Sequence, residues 1–330
     1  MILFDLGVRK QRQLTSKTLV NYVPGGQSAD QIHGRIHMID TGYRGFRQNE
    51  MEYQYNPRES VPEYPQLAKK RAEQARRVRG SAKSWLGVPY GSSPREKLDI
   101  YPADQPGGPV LIYIHGGYWR SGSKEDNCNF VPVFTERGAS VVLVEYDLCP
   151  TVTVSDIVHQ TRSAIAWVYR NILRYSGNPA KIYLSGHSAG GHITAMALAH
   201  DWPSEGLPRD LIKGAVATSG VYDLDMVMRI SVQEQVRLTP ELAKRNSPFH
   251  HPPQPICPVI VAVGGAEPKG WQQMSEDFFN LCKERGVDCE YLIIPGANHY
   301  TMSEHLADPD SPLAQAMLRQ MSLQPSRGRT

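Results

Sequence analysis

The sequence predicts an α/β fold: a mainly parallel central sheet with helices on both faces. Two observations carry this. Short, continuously apolar runs rich in Val, Ile and Leu recur at Val110, Ser140, Lys181, Gly214, Pro258 and Cys289. Amphipathic stretches of helical period separate them, most clearly 154–177 and 270–286. Strands apolar on both faces, alternating with helices, belong to parallel sheets buried on both sides. Such sheets place their chemistry at the carboxyl ends of the strands.

Taken in order, residues 1–50 carry no sustained period of either kind and read as an N-terminal arm. The arm would dock on the body or on a second copy of the chain, and residues 51–330 would form the catalytic domain. From Pro62 to Trp85 the pattern is helical. Its basic segment, 68–80, alternates with Ala, Glu and Gln, as a solvated helix face does. "KLDIYPA" (97–103) reads as a strand closed by the turn "DQPGGP". The six apolar strands and their helices follow.

The chain has 330 residues, 40% of them hydrophobic, and a formal net charge of +3. That length can bury a full core, and the weak charge gives no footprint for nucleic acid. The five cysteines form no C-x-x-C pair, so neither a disulfide framework nor a zinc ribbon is expected, and a reducing compartment fits. The four-residue apolar start is too short for a signal peptide or a span. A cytoplasmic location without membrane attachment is therefore expected.

Chemistry enters at "KIYLSGHSAGGHITAMALAH". Gly186-His187-Ser188-Ala189-Gly190 is a G-x-S-x-G set between a strand and a small-residue helix. In that context a sharp turn lifts the Ser188 hydroxyl above the sheet edge. Serine needs a base, and His299, in the Gly-Asn loop after the last strand, falls where that loop returns to the nucleophile. His305, six residues on, is the weaker rival. The orienting acid should follow the preceding strand, where "VIVAVGGAEPKG" places Glu267; Asp223, after the strand before, is the alternative.

The "HGG" of "LIYIHGGYW" follows an apolar strand, with two adjacent glycines where backbone must approach a substrate. The amides of Gly116, Gly117 and Ala189 are the expected oxyanion donors. Tyr118 and Trp119, beside them, serve either an aryl substrate or the core. His187 and His192 are expected to pack or hydrogen-bond. "HHPP" (250–253) lacks a third ligand at metal spacing, so no metal is expected, and no cofactor either.

"HGGYW", "EYDLCP" (145–150), "GHSAGGH" and "SGVYDL", with "YNPRESVP" and "YGSSPREKLDIYPA", together resemble the kynurenine formamidase (arylformamidase) branch of the α/β-hydrolase fold. The resemblance spans about Tyr55 to His305. It implies Ser188 as nucleophile, His299 as base and Gly116 and Gly117 as oxyanion donors. The family's acid follows a "VG-x-x-D" stretch, and here that slot holds Glu267. The next residues, "PKGWQQ", also depart from the family's acidic-aromatic pattern.

The expected activity is cofactor-free removal of a small acyl group, formyl above all, from an aromatic amide such as N-formylkynurenine. A carboxylesterase or an amidase for another aromatic or cyclic amide would use the same residues. A non-catalytic binding protein of this fold would have lost Ser188 or His299, and both are present. The only expected partners are a small-molecule substrate and a second copy of the chain through the arm.

Overall fold

The computed structural model describes residues 42–323. Eight strands form one sheet: β1 (Trp85–Pro89), β2 (Lys97–Tyr101), β3 (Gly108–Ile114), β4 (Ser140–Val144), β5 (Gly177–His187), β6 (Ile212–Thr218), β7 (Val259–Gly264) and β8 (Cys289–Ile294). Their order is β1-β2-β4-β3-β5-β6-β7-β8. β2 runs antiparallel to β1 and β4, while every pair from β4 through β8 is parallel. The sheet is the mainly parallel one expected, extended by a two-stranded antiparallel edge.

The side chains of β3 show why these runs had to be apolar throughout. Val110, Ile112 and Ile114 enter the core on one face, with Ile157, Ile165, Ile193 and Phe278. Leu111 and Tyr113 enter the other, with Val131, Phe134, Leu313 and Met317. Alternate residues of a strand point to opposite faces, so burial on both leaves no polar position.

The helices obey local rules as well. Thr153 caps the helix Val154–Asn171 in a reciprocal box: Asp156 N–H donates to Thr153 Oγ1 at 3.2 Å and Thr153 N–H to Asp156 Oδ2 at 2.8 Å. Ile157, Val158, Ala164, Ile165 and Val168 form its buried stripe. The basic segment forms the helix Tyr64–Ser81, of which Ala75 alone is buried. Among its cations, Arg79 reaches inward to the fully buried carboxylate of Asp99.

β1 is the strand the sequence did not announce. Its five residues include Gly87 at φ +69° and end on Pro89, and its side chains are exposed or half-buried. An edge strand needs neither a continuous apolar run nor every backbone donor, so proline is tolerated there.

Most of the expected N-terminal arm, residues 1–41, lies outside the described residues. Residues 42–50 pack on the body. Tyr43 OH donates to Asp223 Oδ2 at 2.7 Å, Arg44 pairs with Asp277, and Tyr43 and Phe46 meet the Tyr55 ring edge-on at 5.6 and 6.1 Å.

Candidate active site

The site is assembled where β3, β5, β6, β7 and β8 end. β5 runs straight into a turn at Ser188, which holds φ +59° and ψ −120°, and the helix Ala189–Leu198 begins at the next residue. A β-carbon-bearing residue at such a φ is strained and persists only where its surroundings fix it. Here Ser188 N–H is tied to Thr218 O on β6 at 2.9 Å, and His192 N–H to Ser188 O at 3.0 Å. Gly190 makes the tight return possible: a Cβ there would lie 2.0 Å from the Ile114 carbonyl oxygen at the end of β3. Only glycine lets the turn pack that closely on the neighbouring strand.

The glycine loop after β3 lies against this turn. A Cβ on Gly116 would sit 2.9 Å from Ser188 Cβ and 2.7 Å from His187 O, so backbone and nucleophile turn are in direct apposition. Gly117 follows at φ +124°, where an added Cβ would strike Ser121 O at 2.1 Å. The loop is held from behind. His115 Nδ1 lies 2.8 Å from Gly116 O and its Nε2 3.1 Å from Glu145 Oε1. Glu145 also accepts from Arg95 Nη2 at 2.6 Å and from Lys124 N–H at 3.0 Å. Burial alone would raise the Glu145 carboxyl, but these partners outweigh it, His115 first, and bring it down to about 2. Tyr146 stacks on the His115 ring at 4.3 Å and donates its hydroxyl to His115 O at 2.8 Å.

His299 and Glu267 come together. His299 Nδ1 and Glu267 Oε2 are 2.7 Å apart, and both side chains are buried. The other carboxylate oxygen, Oε1, accepts from Gly264 N–H at 2.8 Å and from the Ser219 hydroxyl. Ser219, at the end of β6, was not singled out in the sequence; its signal is its place after a strand in "ATSG". Trp271 packs against the His299 ring at 4.5 Å. It comes from "PKGWQQ", the stretch that departs from the family pattern.

Asp223 lies elsewhere. Its carboxylate takes the Tyr43 hydroxyl on one oxygen and Asp225 N–H on the other, at 2.7 and 3.1 Å. His305 belongs to the helix Met302–Ala307 and is absent from the cavity wall.

Of the two aromatic residues beside the glycines, Tyr118 lines the cavity while its hydroxyl donates to Tyr55 O. Trp119 does not line it. Fully buried, it donates Nε1–H to His192 Nδ1 at 3.1 Å, and His192 Nε2 meets Asn246 O at 2.7 Å. The expected substrate contact of Trp119 is therefore corrected to a core role. A neutral imidazole satisfies both bonds of His192, and burial pushes that ring down to about 4. His187 meets the His299 ring at a tilt, 4.6 Å between centroids, and burial above all holds it well below the ordinary histidine range.

Gly116, Gly117, Tyr118, His187, Ser188 and His299 face one cavity of about 240 Å³. The sequence reading missed the rest of its wall, including Arg58, Tyr64, Arg71, Arg120 and Tyr300. Tyr64 and Tyr300 stack at 5.3 Å. Among the described residues no cluster of His, Cys, Asp or Glu could hold a metal ion. Nor is any helix there long and apolar enough to cross a membrane.

A mainly parallel sheet with a strand–turn–helix serine and a glycine loop at its carboxyl edge defines an α/β-hydrolase, a hydrolase of amide or ester bonds. Similarity to known proteins agrees. The prolyl oligopeptidase family matches residues 153–311 and the BD-FAE family residues 98–202. A candidate thioesterase from Silicibacter superposes with a TM-score of 0.70 at 26% identity, over 81% of this chain and 98% of that one. The kynurenine formamidase of Salmo salar is 35% identical over 76% of this chain and 86% of its own length. That of Danio rerio is 30% identical over 84% and 97%. The chain belongs to the kynurenine formamidase family.

Proposed function

We propose that the chain removes a small acyl group, formyl above all, from an aromatic amide of the N-formylkynurenine type, through an acyl-enzyme on Ser188. The observation that carries this reading is the pairing of the buried Glu267 with His299, which lines the same cavity as Ser188 and the glycine loop. In this mechanism Ser188 Oγ attacks the carbonyl carbon while His299 Nε2 takes its proton. Glu267 keeps the Nδ1 proton in place and stabilises the imidazolium. The amides of Gly117 and Ala189, with Gly116, receive the charge that develops on the carbonyl oxygen. Ala189 opens its helix, where N–H groups have no intrahelical acceptor. His299 then returns the proton to the departing amine, and water entering by the same base releases the acid.

Size and lining support the substrate class. A cavity of about 240 Å³ is small for a ligand site, which usually runs to about 300–1,000 Å³; it suits one ring and a short acyl group. Tyr118 and the Tyr64–Tyr300 stack offer aromatic surface. The test is a panel of N-formyl aryl amides against p-nitrophenyl esters of rising acyl length. The formyl amides are expected to give the highest kcat/KM, with the esters declining from acetate to hexanoate. Ester values that rise with chain length, over inert formamides, would make the protein a carboxylesterase instead.

A further inference from the structure

We infer that Arg58, Arg71 and Arg120 form a subsite for a carboxylate on the departing half of the substrate. The inference rests on the hydrolase reading above only in taking the amine side as the departing half.

The three guanidiniums line the same cavity as Ser188, and the lining contains a single carboxylate, Asp126. Asp126 accepts from Ser123 Oγ at 3.0 Å. Arg44, Arg79 and Arg95, by contrast, are paired with Asp277, Asp99 and Glu145. None of the three in the cavity forms an ion pair among the described residues. Arg120 donates to Gln235 Oε1, a neutral group, at 2.5 Å, and Arg58 lies over the Tyr64 ring at 5.2 Å. Burial first, and then the charge of Arg58, push the Arg120 guanidinium down, more than Glu52 raises it.

Arg71 is the sharpest of the three. It projects from the helix Tyr64–Ser81, half-buried, and its Nε is fully buried with no hydrogen-bond partner. A buried donor left unmet is costly and calls for an acceptor. Nε itself has no surface open to the cavity that Arg71 lines, so a carboxylate there would meet the terminal N–H groups of the guanidinium. A guanidinium presents its N–H groups in a rigid planar fork that fits a carboxylate.

Geometry also says which end of the substrate carries the acid. A formyl group has no room for a charge, so an anion reaching these arginines belongs to the aryl amine side. Arg58 on Tyr64, and Tyr64 on Tyr300, put a cation beside the aromatic surface where that ring would rest.

The test uses the full chain carrying Ser188→Ala, in which binding is read without turnover. Anthranilate and its methyl ester share a ring and differ by one negative charge. Calorimetry is expected to show anthranilate binding about tenfold tighter, the worth of one charge-assisted pair. Adding Arg71→Met should erase that preference, and Arg71→Lys should restore most of it. Arg120→Met, from the loop after β3, should weaken it if Arg71→Met does not fold. In the unmutated chain, kcat/KM for N-formylanthranilate should exceed that for its methyl ester by a similar factor. Equal binding of acid and ester to the Ser188→Ala chain would overturn the subsite, as would a preference that survives both arginine changes. Loss of turnover on every formamide with the anion preference intact would fault the hydrolase reading and leave the subsite standing.

Discussion

Replacing Glu267 with glutamine probes the site at its most constrained bond. The carboxylate has two acceptor oxygens, and each is committed. Oε1 takes Gly264 N–H at 2.8 Å and the Ser219 hydroxyl, and Oε2 faces His299 Nδ1 at 2.7 Å. A glutamine keeps one oxygen and gains an NH2 group. The backbone N–H of Gly264 cannot turn away, so the oxygen must stay there and the NH2 group must face Nδ1. Nδ1 then becomes an acceptor, and the ring proton moves to Nε2, the atom proposed to take the proton of Ser188. The reverse flip would set NH2 against a backbone N–H in a buried site. A wrong tautomer of this kind lowers kcat by about 10⁴-fold in a well-characterised triad, some 5 kcal/mol. The same order is expected here, with the melting temperature little changed because the shape is conserved. Stopped assays of kcat, with proton NMR of the Nδ1 signal, read the two effects separately. Glu267→Asp, shorter by one methylene, should fall between wild type and Glu267→Gln. Asp223→Asn should stay within about twofold of wild type, because its carboxylate is engaged by Tyr43. A Glu267→Gln enzyme near wild type, beside an inactive Asp223→Asn, would refute this reasoning.

Gly117→Ala places a Cβ 2.1 Å from Ser121 O at a φ of +124°, so the loop must move. Steady-state kinetics should show kcat down by about 10²–10³ with KM little changed, the cost of one oxyanion donor. Stability should fall on mild acidification. His192 is held down at about 4 in the fold against about 6.5 for an ordinary histidine. Its contribution is therefore complete above about pH 6.5 and is lost as the pH falls toward 4, by roughly 3 kcal/mol. His187 is displaced in the same direction and steepens the loss. Urea unfolding at pH 7.5 and 4.5 measures it, and a flat profile would contradict the assignment. For the N-terminal arm, deleting residues 1–41 should leave kcat/KM unchanged and convert any dimer in solution to monomer. Deleting 1–48 also removes Tyr43, Arg44 and Phe46 from Asp223, Asp277 and Tyr55, and should lower the melting temperature by several degrees. Mass in solution and thermal melts check both.

The parts of the fold legible in the sequence are those where burial leaves no choice. β4 and β7 are buried at every position, so their runs are unbroken, whereas β1 is an exposed or half-buried edge with Gly87 and Pro89 and carries no such run. Glu267 is reached by chain order, because the acid is sought after the strand before the one that leads to His299, and that strand, β7, pairs with β8. Trp119 could not be assigned from its neighbours. Adjacent to a cavity residue, it is nonetheless drawn into the core by a partner 73 positions away, His192. The arginine wall was invisible for another reason. Arg71 lies in a charged helix whose pattern means solvent almost everywhere, and only the fold brings 56–71, 116–127, 187–188 and 299–300 around one space. Ser219 is equally ordinary in sequence and is made important by a carboxylate 48 residues downstream.

The central claim is that Ser188 is the residue acylated during turnover. Intact-mass and peptide-mapping spectrometry after exposure to an organophosphate tests it most directly. One adduct per chain is expected, on the peptide bearing Ser188, with activity lost in proportion. The Ser188→Ala chain should take up no label and show no turnover above background. An adduct on another residue, or a Ser188→Ala chain that still hydrolyses formamides, would contradict the account.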